Sequence, residues 1–139
     1  MNGHNYRKFR LSDKFISQYE DKEVPWGPVG YVTYKRTYAR LLSERDPDAV
    51  GTEEWFQTCR RVIEGMFDMQ KRHVTELGLE WIDSKSQKTA KDAYDRLFNL
   101  KWTPPGRGLW MMGTKFVEER TAAGLFNCAF RSTKDISIK

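Results

Sequence analysis

Cys128 lies in the apolar run Gly124-Leu-Phe-Asn-Cys-Ala-Phe130. Alternation along an extended segment places Phe126, Cys128 and Phe130 on one face and Asn127 on the other. A side-chain amide in such a run must find hydrogen-bond partners, in the backbone or in a ligand. Arg131 and Lys134 follow closely and favour the thiolate, the form in which a cysteine acts as a redox group. From the residues alone, a small hydrophobe packed in a core is the favoured reading.

The other reactive side chains carry weaker signals. Cys59 falls on the apolar face of a predicted helix between Trp55 and Val62/Ile63, the pattern of a packing residue. It stands 69 residues from Cys128, with nothing in the spacing that pairs the two thiols. His4 and His73 form no metal-binding pattern, and the chain has no Cys-x-x-Cys or His-x-x-x-His. The loop Pro104 to Gly108, PPGRG, could offer backbone N–H groups and Arg107 to a phosphate, but a plain tight turn is the better reading of it.

These residues need elements to hold them. LSDKFISQYE predicts a short helix capped by Ser12. VPWGPVG, with two prolines and two glycines in seven residues, predicts a turn that excludes helix. Tyr31, Tyr34, Tyr38, Leu41 and Leu42 share one face, so a helix is expected over 31–42, followed by the polar loop SERDPDAVG. The strongest helix signal starts at a Thr52 cap, with Glu53 and Glu54 in its first turn. It continues through Trp55, Cys59, Val62, Ile63, Met66 and Phe67 to a stop at Gly78. Ala90, Ala93, Tyr94, Leu97 and Phe98 predict another helix from Ser86 to Leu100. After TPPGRG, the short runs LWMMG and LFNCAF read as buried strands, with about two helical turns between them. Helices first and strands last predict an α-rich (α+β) segment that leads into a sheet.

Composition narrows the class. With 39% hydrophobic and 14% aromatic residues, this is a folded chain. No apolar run approaches the roughly 20 residues that cross a bilayer. MNGHNYRKFR has no apolar segment behind it and does not read as a secretory signal. Two cysteines without an export signal predict a cytoplasmic setting. The net charge of +5 is concentrated at the front, where residues 1–45 hold nine Lys/Arg against five Asp/Glu. That excess admits a second function class, a small basic helical nucleic-acid-binding module. The five tryptophans do not interleave with basic residues as a single-strand platform would require.

Three stretches carry a resemblance. VPWGPVGYVTYKRTYARLL (24–42), FNLKWTPPGRGLWMMGT (98–114) and FNCAFRSTKDIS (126–137) resemble, in the same order, segments of the adenosylcobalamin-dependent (class II) ribonucleotide reductases, in particular the monomeric ribonucleoside-triphosphate reductase type. The resemblance implies a helical region over residues 1–102. It also implies that residues 103–139 begin a ten-stranded α/β barrel, otherwise absent from this chain. In such enzymes adenosylcobalamin generates a thiyl radical on a finger-loop cysteine, and two further cysteines supply two electrons. The Asn-Cys-x-Phe match implies that Cys128 is one of that reducing pair, its mate lying outside this chain. Asn127, Gly106 and Arg107 are implied to lie near the substrate. The implied partners are the C-terminal part of the same reductase, a ribonucleoside triphosphate and a thioredoxin-type reductant. Cobalamin is expected to be bound mainly by that C-terminal part. On this reading the chain is a fragment or split subunit, inactive by itself.

Overall fold

The computed structural model describes residues 6–120 and 122–125. Cys128 and Asn127, and the expected LFNCAF strand beyond Leu125, lie outside the described residues. The elements run α1 (Asp13–Ile16), a 3₁₀ turn (Ser17–Tyr19), α2 (Pro28–Thr37), a 3₁₀ turn (Leu42–Glu44), α3 (Trp55–Glu76) and α4 (Asp83–Phe98). They continue with α5 (Gly106–Met111), α6 (Lys115–Glu119) and a last 3₁₀ turn (Ala122–Leu125). Among the described residues there is no strand, only an isolated bridge between Leu41 and Thr52.

α3 and α4 form the centre because each carries an apolar stripe at helical spacing. Trp55, Cys59, Val62, Ile63 and Phe67 face Ala90, Tyr94, Leu97 and Phe98 in one core. Aromatic rings fill the rest. Tyr19 meets the edges of Tyr94 and Phe98 at 4.8 and 5.0 Å between centroids, and Trp26 packs on Trp55 at 4.9 Å. Buried polar tips among them are satisfied, as buried tyrosine and tryptophan require. Trp55 Nε1 donates to the Phe98 carbonyl at 3.0 Å, and Tyr94 Oη to the Phe56 carbonyl at 2.9 Å.

The helix ends explain where the expected boundaries move. Ser12 caps α1 as expected, accepting from Phe15 N at 3.3 Å. Thr52 is not the cap of α3. Glu54 takes that position, with its N–H bonded to Gln57 Oε1 at 2.8 Å, while Glu53 turns into the core. Helix α2 starts at Pro28, inside the stretch expected to exclude helix, because proline at the first helical position lacks only an N–H that would be unpaired anyway. α2 also ends early, at Thr37, leaving Leu41 exposed in the bridge to Thr52. α4 begins three residues before Ser86, and Gly78, at φ +70°, closes the turn after α3.

The expected strand over LWMMG is a helix. Leu109 N donates to the Pro105 carbonyl and Met112 N to the Gly108 carbonyl, both at 3.0 Å. An apolar run this short carries no period long enough to separate strand from helix. The preceding Pro104-Pro105 and contacts from α3 decide it.

In front of α1, residues 6–11 form no regular element, with Phe9 and Leu11 inward at 1% exposure each. No neighbouring strand pairs them. Their N–H groups donate instead to carboxylates of α3, Phe9 N to Asp68 at 2.8 Å and Leu11 N to Glu64 at 3.0 Å.

Candidate functional site

Of the four residues singled out for chemistry, Gly106 and Arg107 are described. They form the exposed first turn of α5. A side chain at position 106 would meet Tyr38 Oη at 3.2 Å, so the backbone here lies close against α2's end.

One buried network fixes the α5 segment. Arg61 of α3 is 2% exposed and pairs with Glu53, 1% exposed, through Nε–Oε1 at 2.8 Å and Nη2–Oε2 at 3.0 Å. Its remaining donors reach forward, Nη1 to the Met112 carbonyl at 2.6 Å and Nη2 to the Leu109 carbonyl at 3.0 Å. These are carbonyls at the C-terminal end of α5, where helical carbonyls otherwise lack partners. Glu53 is completed by Thr58 Oγ1 at 2.7 Å and Arg40 N at 3.2 Å. Tyr34 Oη hydrogen-bonds Thr58 at 2.7 Å and donates to the Glu53 carbonyl at 3.1 Å. Burial pushes the Tyr34 hydroxyl well above the ordinary phenol range, keeping it a neutral donor. Gly113 closes the segment at φ +75°, where a Cβ would overlap the Arg61 carbonyl oxygen. A Cβ at Gly65 would in turn lie 2.6 Å from Gly113 Cα. Two glycines thus let α3 and the turn after α5 touch backbone to backbone.

Beside this network a cleft of about 540 Å³ opens between the Arg40–Arg45 loop and residues 113–116. Its walls carry six cations, Lys8, Arg10, Arg40, Arg45, Arg61 and Lys115, against three carboxylates.

Cys59 is fully buried, as expected of a packing residue, and burial pushes its thiol well above the usual range. In the native protein Cys59 is expected to resist a thiol reagent at pH 8 and to react stoichiometrically in denaturant. Rapid native labelling at this position would contradict its place in the core. Among the described residues no group of three His, Cys, Asp or Glu is placed to hold a metal. Five of the nine lysines and arginines in residues 1–45 make ion pairs among the described residues. Lys8 pairs with Glu118, Arg10 and Arg45 with Glu64, Lys35 with Glu54 and Arg40 with Glu44.

The family model for the ribonucleotide reductase alpha domain matches residues 11–114. The chain belongs to this family. The reductase-family chain is 38% identical over 133 residues to a Dictyostelium discoideum protein named "Probable adenosylcobalamin-dependent ribonucleoside-triphosphate reductase", covering 94% of this chain and 17% of that protein. It is 38% identical over 130 residues to the Euglena gracilis adenosylcobalamin-dependent ribonucleoside-triphosphate reductase, covering 91% and 17%. A crystal structure of a B-12 dependent (class II) ribonucleotide reductase superposes with a TM-score of 0.70 at 34% identity, over 86% of this chain and 16% of that one. The chain therefore spans about a sixth of the length of the reductases it matches. Within the matched span lies the Arg61 network, which the sequence reading missed. The sequence offered only Glu53 and Arg61, eight residues apart, as a hint of it.

Proposed function

We propose that this chain is the N-terminal part of an adenosylcobalamin-dependent reductase that converts ribonucleoside triphosphates to 2′-deoxyribonucleotides. The observation that carries the reading is the match to a class II reductase structure, 34% identical with a TM-score of 0.70 over 86% of this chain. Residues 1–102 are its helical region, and residues 103–139 lead into the first strands of a ten-stranded α/β barrel completed by the C-terminal part of the enzyme. Cys128 is one of two thiols that supply the reducing equivalents. The ribose loses its 2′-hydroxyl as water and gains hydrogen at C2′, while two cysteine thiols give up two protons and two electrons and join as a disulfide. A thioredoxin-type dithiol then restores the pair by exchange. Asn127, Gly106 and Arg107 line the substrate, the latter two presented by the α5 turn that Arg61 holds.

The described residues do not fit adenosylcobalamin. The charged cleft of about 540 Å³ among them has ionic walls unsuited to the broad face of a corrin. The cofactor belongs to the remainder of the reductase. No described helix is long and apolar enough to cross a membrane. A cytoplasmic enzyme, with reducing partners at hand, suits this chemistry.

The test is reconstitution. The chain mixed with the C-terminal part, adenosylcobalamin and a dithiol is expected to form deoxyribonucleotide, and each part alone is expected to form none. Equal turnover by the C-terminal part without this chain would overturn the reading.

A further inference from the structure

We propose that an aromatic slot at the start of α3 binds an arginine side chain of a separate polypeptide. The inference does not depend on the proposed function, and no residue of the slot lines the cleft beside Arg61.

The slot lies where the turn after α1, the loop before α2, the start of α3 and the end of α4 meet. Tyr19, Trp26, Tyr31, Trp55, Phe56 and Phe98 wall it with rings. Trp55 and Phe98 belong to the core, so the floor is fixed. Tyr31 is 41% exposed and stands edge-on to Trp26 at 6.4 Å between centroids, so ring surface is open at the mouth. The volume is about 240 Å³. Pockets for drug-sized ligands run from roughly 300 to 1,000 Å³, and this one falls short of them. It suits a single side chain.

Charge selects which side chain. The chain carries +5 overall, yet residues 20–23 read Glu-Asp-Lys-Glu. Glu20, Asp21 and Glu23 are exposed and make no ion pair among the described residues. Glu20 and Glu54 both line the slot, and Glu54 is paired with Lys35. The ring of Tyr19 already attracts a cation, since Lys22 Nζ stands 4.1 Å from its centroid. Aromatic walls under a carboxylate rim fit a flat, weakly hydrated cation with several donors. A guanidinium stacks on rings and donates two N–H groups to one carboxylate, whereas an ammonium is a strongly hydrated point charge. A separate chain supplies it, because α5, α6 and the last 3₁₀ turn, through which this chain runs on, contribute no residue to the slot.

Nuclear magnetic resonance of the 139-residue chain, titrated with the peptide acetyl-Gly-Arg-Gly-amide, tests this. The indole N–H signals of Trp26 and Trp55 are expected to shift saturably, while those of Trp81 and Trp110, outside the slot, stay in place. The citrulline counterpart, flat but uncharged, is expected to bind about tenfold more weakly, the scale of one lost charge-assisted contact. The lysine counterpart is also expected to be weaker. Glu20→Gln is expected to weaken the arginine peptide about threefold, as for an exposed ion pair. Lys22→Gln is expected to strengthen it by a similar factor, because it removes a competing cation. Both positions are exposed, so the variants keep the fold, which circular dichroism verifies. Adding the C-terminal part of the reductase is expected to leave the shifts unchanged. Their loss would show that the enzyme's own remainder covers the slot, and would overturn the proposal. So would an absence of shifts, a citrulline or lysine peptide that binds as well as arginine, or tighter binding of adenosine.

Discussion

Arg61→Ala is expected to destabilise the chain by roughly 3–5 kcal/mol, read as a drop in the denaturation midpoint, because it leaves a buried charge without its partner. Glu53 would keep only Thr58 and the Arg40 N–H, and the carbonyls of Leu109 and Met112 would lose their donors inside the protein. The loss falls at two places. α3 loses its tie to the loop before it, and the C-terminal end of α5 comes undone. Arg61→Lys retains the charge but offers no planar fork to reach Glu53 and both carbonyls together, so it recovers only part of the loss. The double variant Arg61→Ala/Glu53→Ala is expected to cost less than the sum of its singles, since no uncompensated carboxylate is left buried. A change below about 1 kcal/mol for Arg61→Ala would place this pair among surface ion pairs and contradict the network.

Cys128→Ser in the reconstituted reductase is expected to bring turnover supported by external dithiol down to background. A serine hydroxyl occupies nearly the same volume and still donates a hydrogen bond, but it cannot be oxidised to a disulfide. Reduction at C2′ requires two electrons from two thiols, and one thiol cannot supply them in this way. Cys59→Ser is the matched comparison. It is expected to lower stability through burial of an extra hydroxyl in the core and to leave the redox cycle working. Full turnover by Cys128→Ser with external dithiol would remove the redox role.

What could be read beforehand follows from where the information lies. Helices α3 and α4 were legible because their apolar stripes repeat over several turns, and Cys59 was legible as part of one. The α5 segment was not. Leu109 to Met112 is too short to show a period, and its helical state depends on Pro105 before it and on Arg61, 48 residues away along the chain. The burial of Glu64 and Asp68 was not legible either. Each sits four residues from an arginine, Arg60 and Arg72, which reads as surface pairing along a helix. Both are buried where they accept backbone N–H groups of the N-terminal segment carrying Phe9 and Leu11. Pairing between a distant irregular segment and helix carboxylates leaves no local pattern. The role proposed for Cys128 rests on the resemblance alone, since the residues around it in sequence read first as those of a packed thiol.

The most direct measurement is thiol mapping by mass spectrometry after one round of catalysis by the reconstituted reductase, without external reductant. One disulfide is expected per deoxyribonucleotide, with Cys128 joined to a cysteine of the C-terminal part. Product formed while Cys128 remains a free thiol would contradict it.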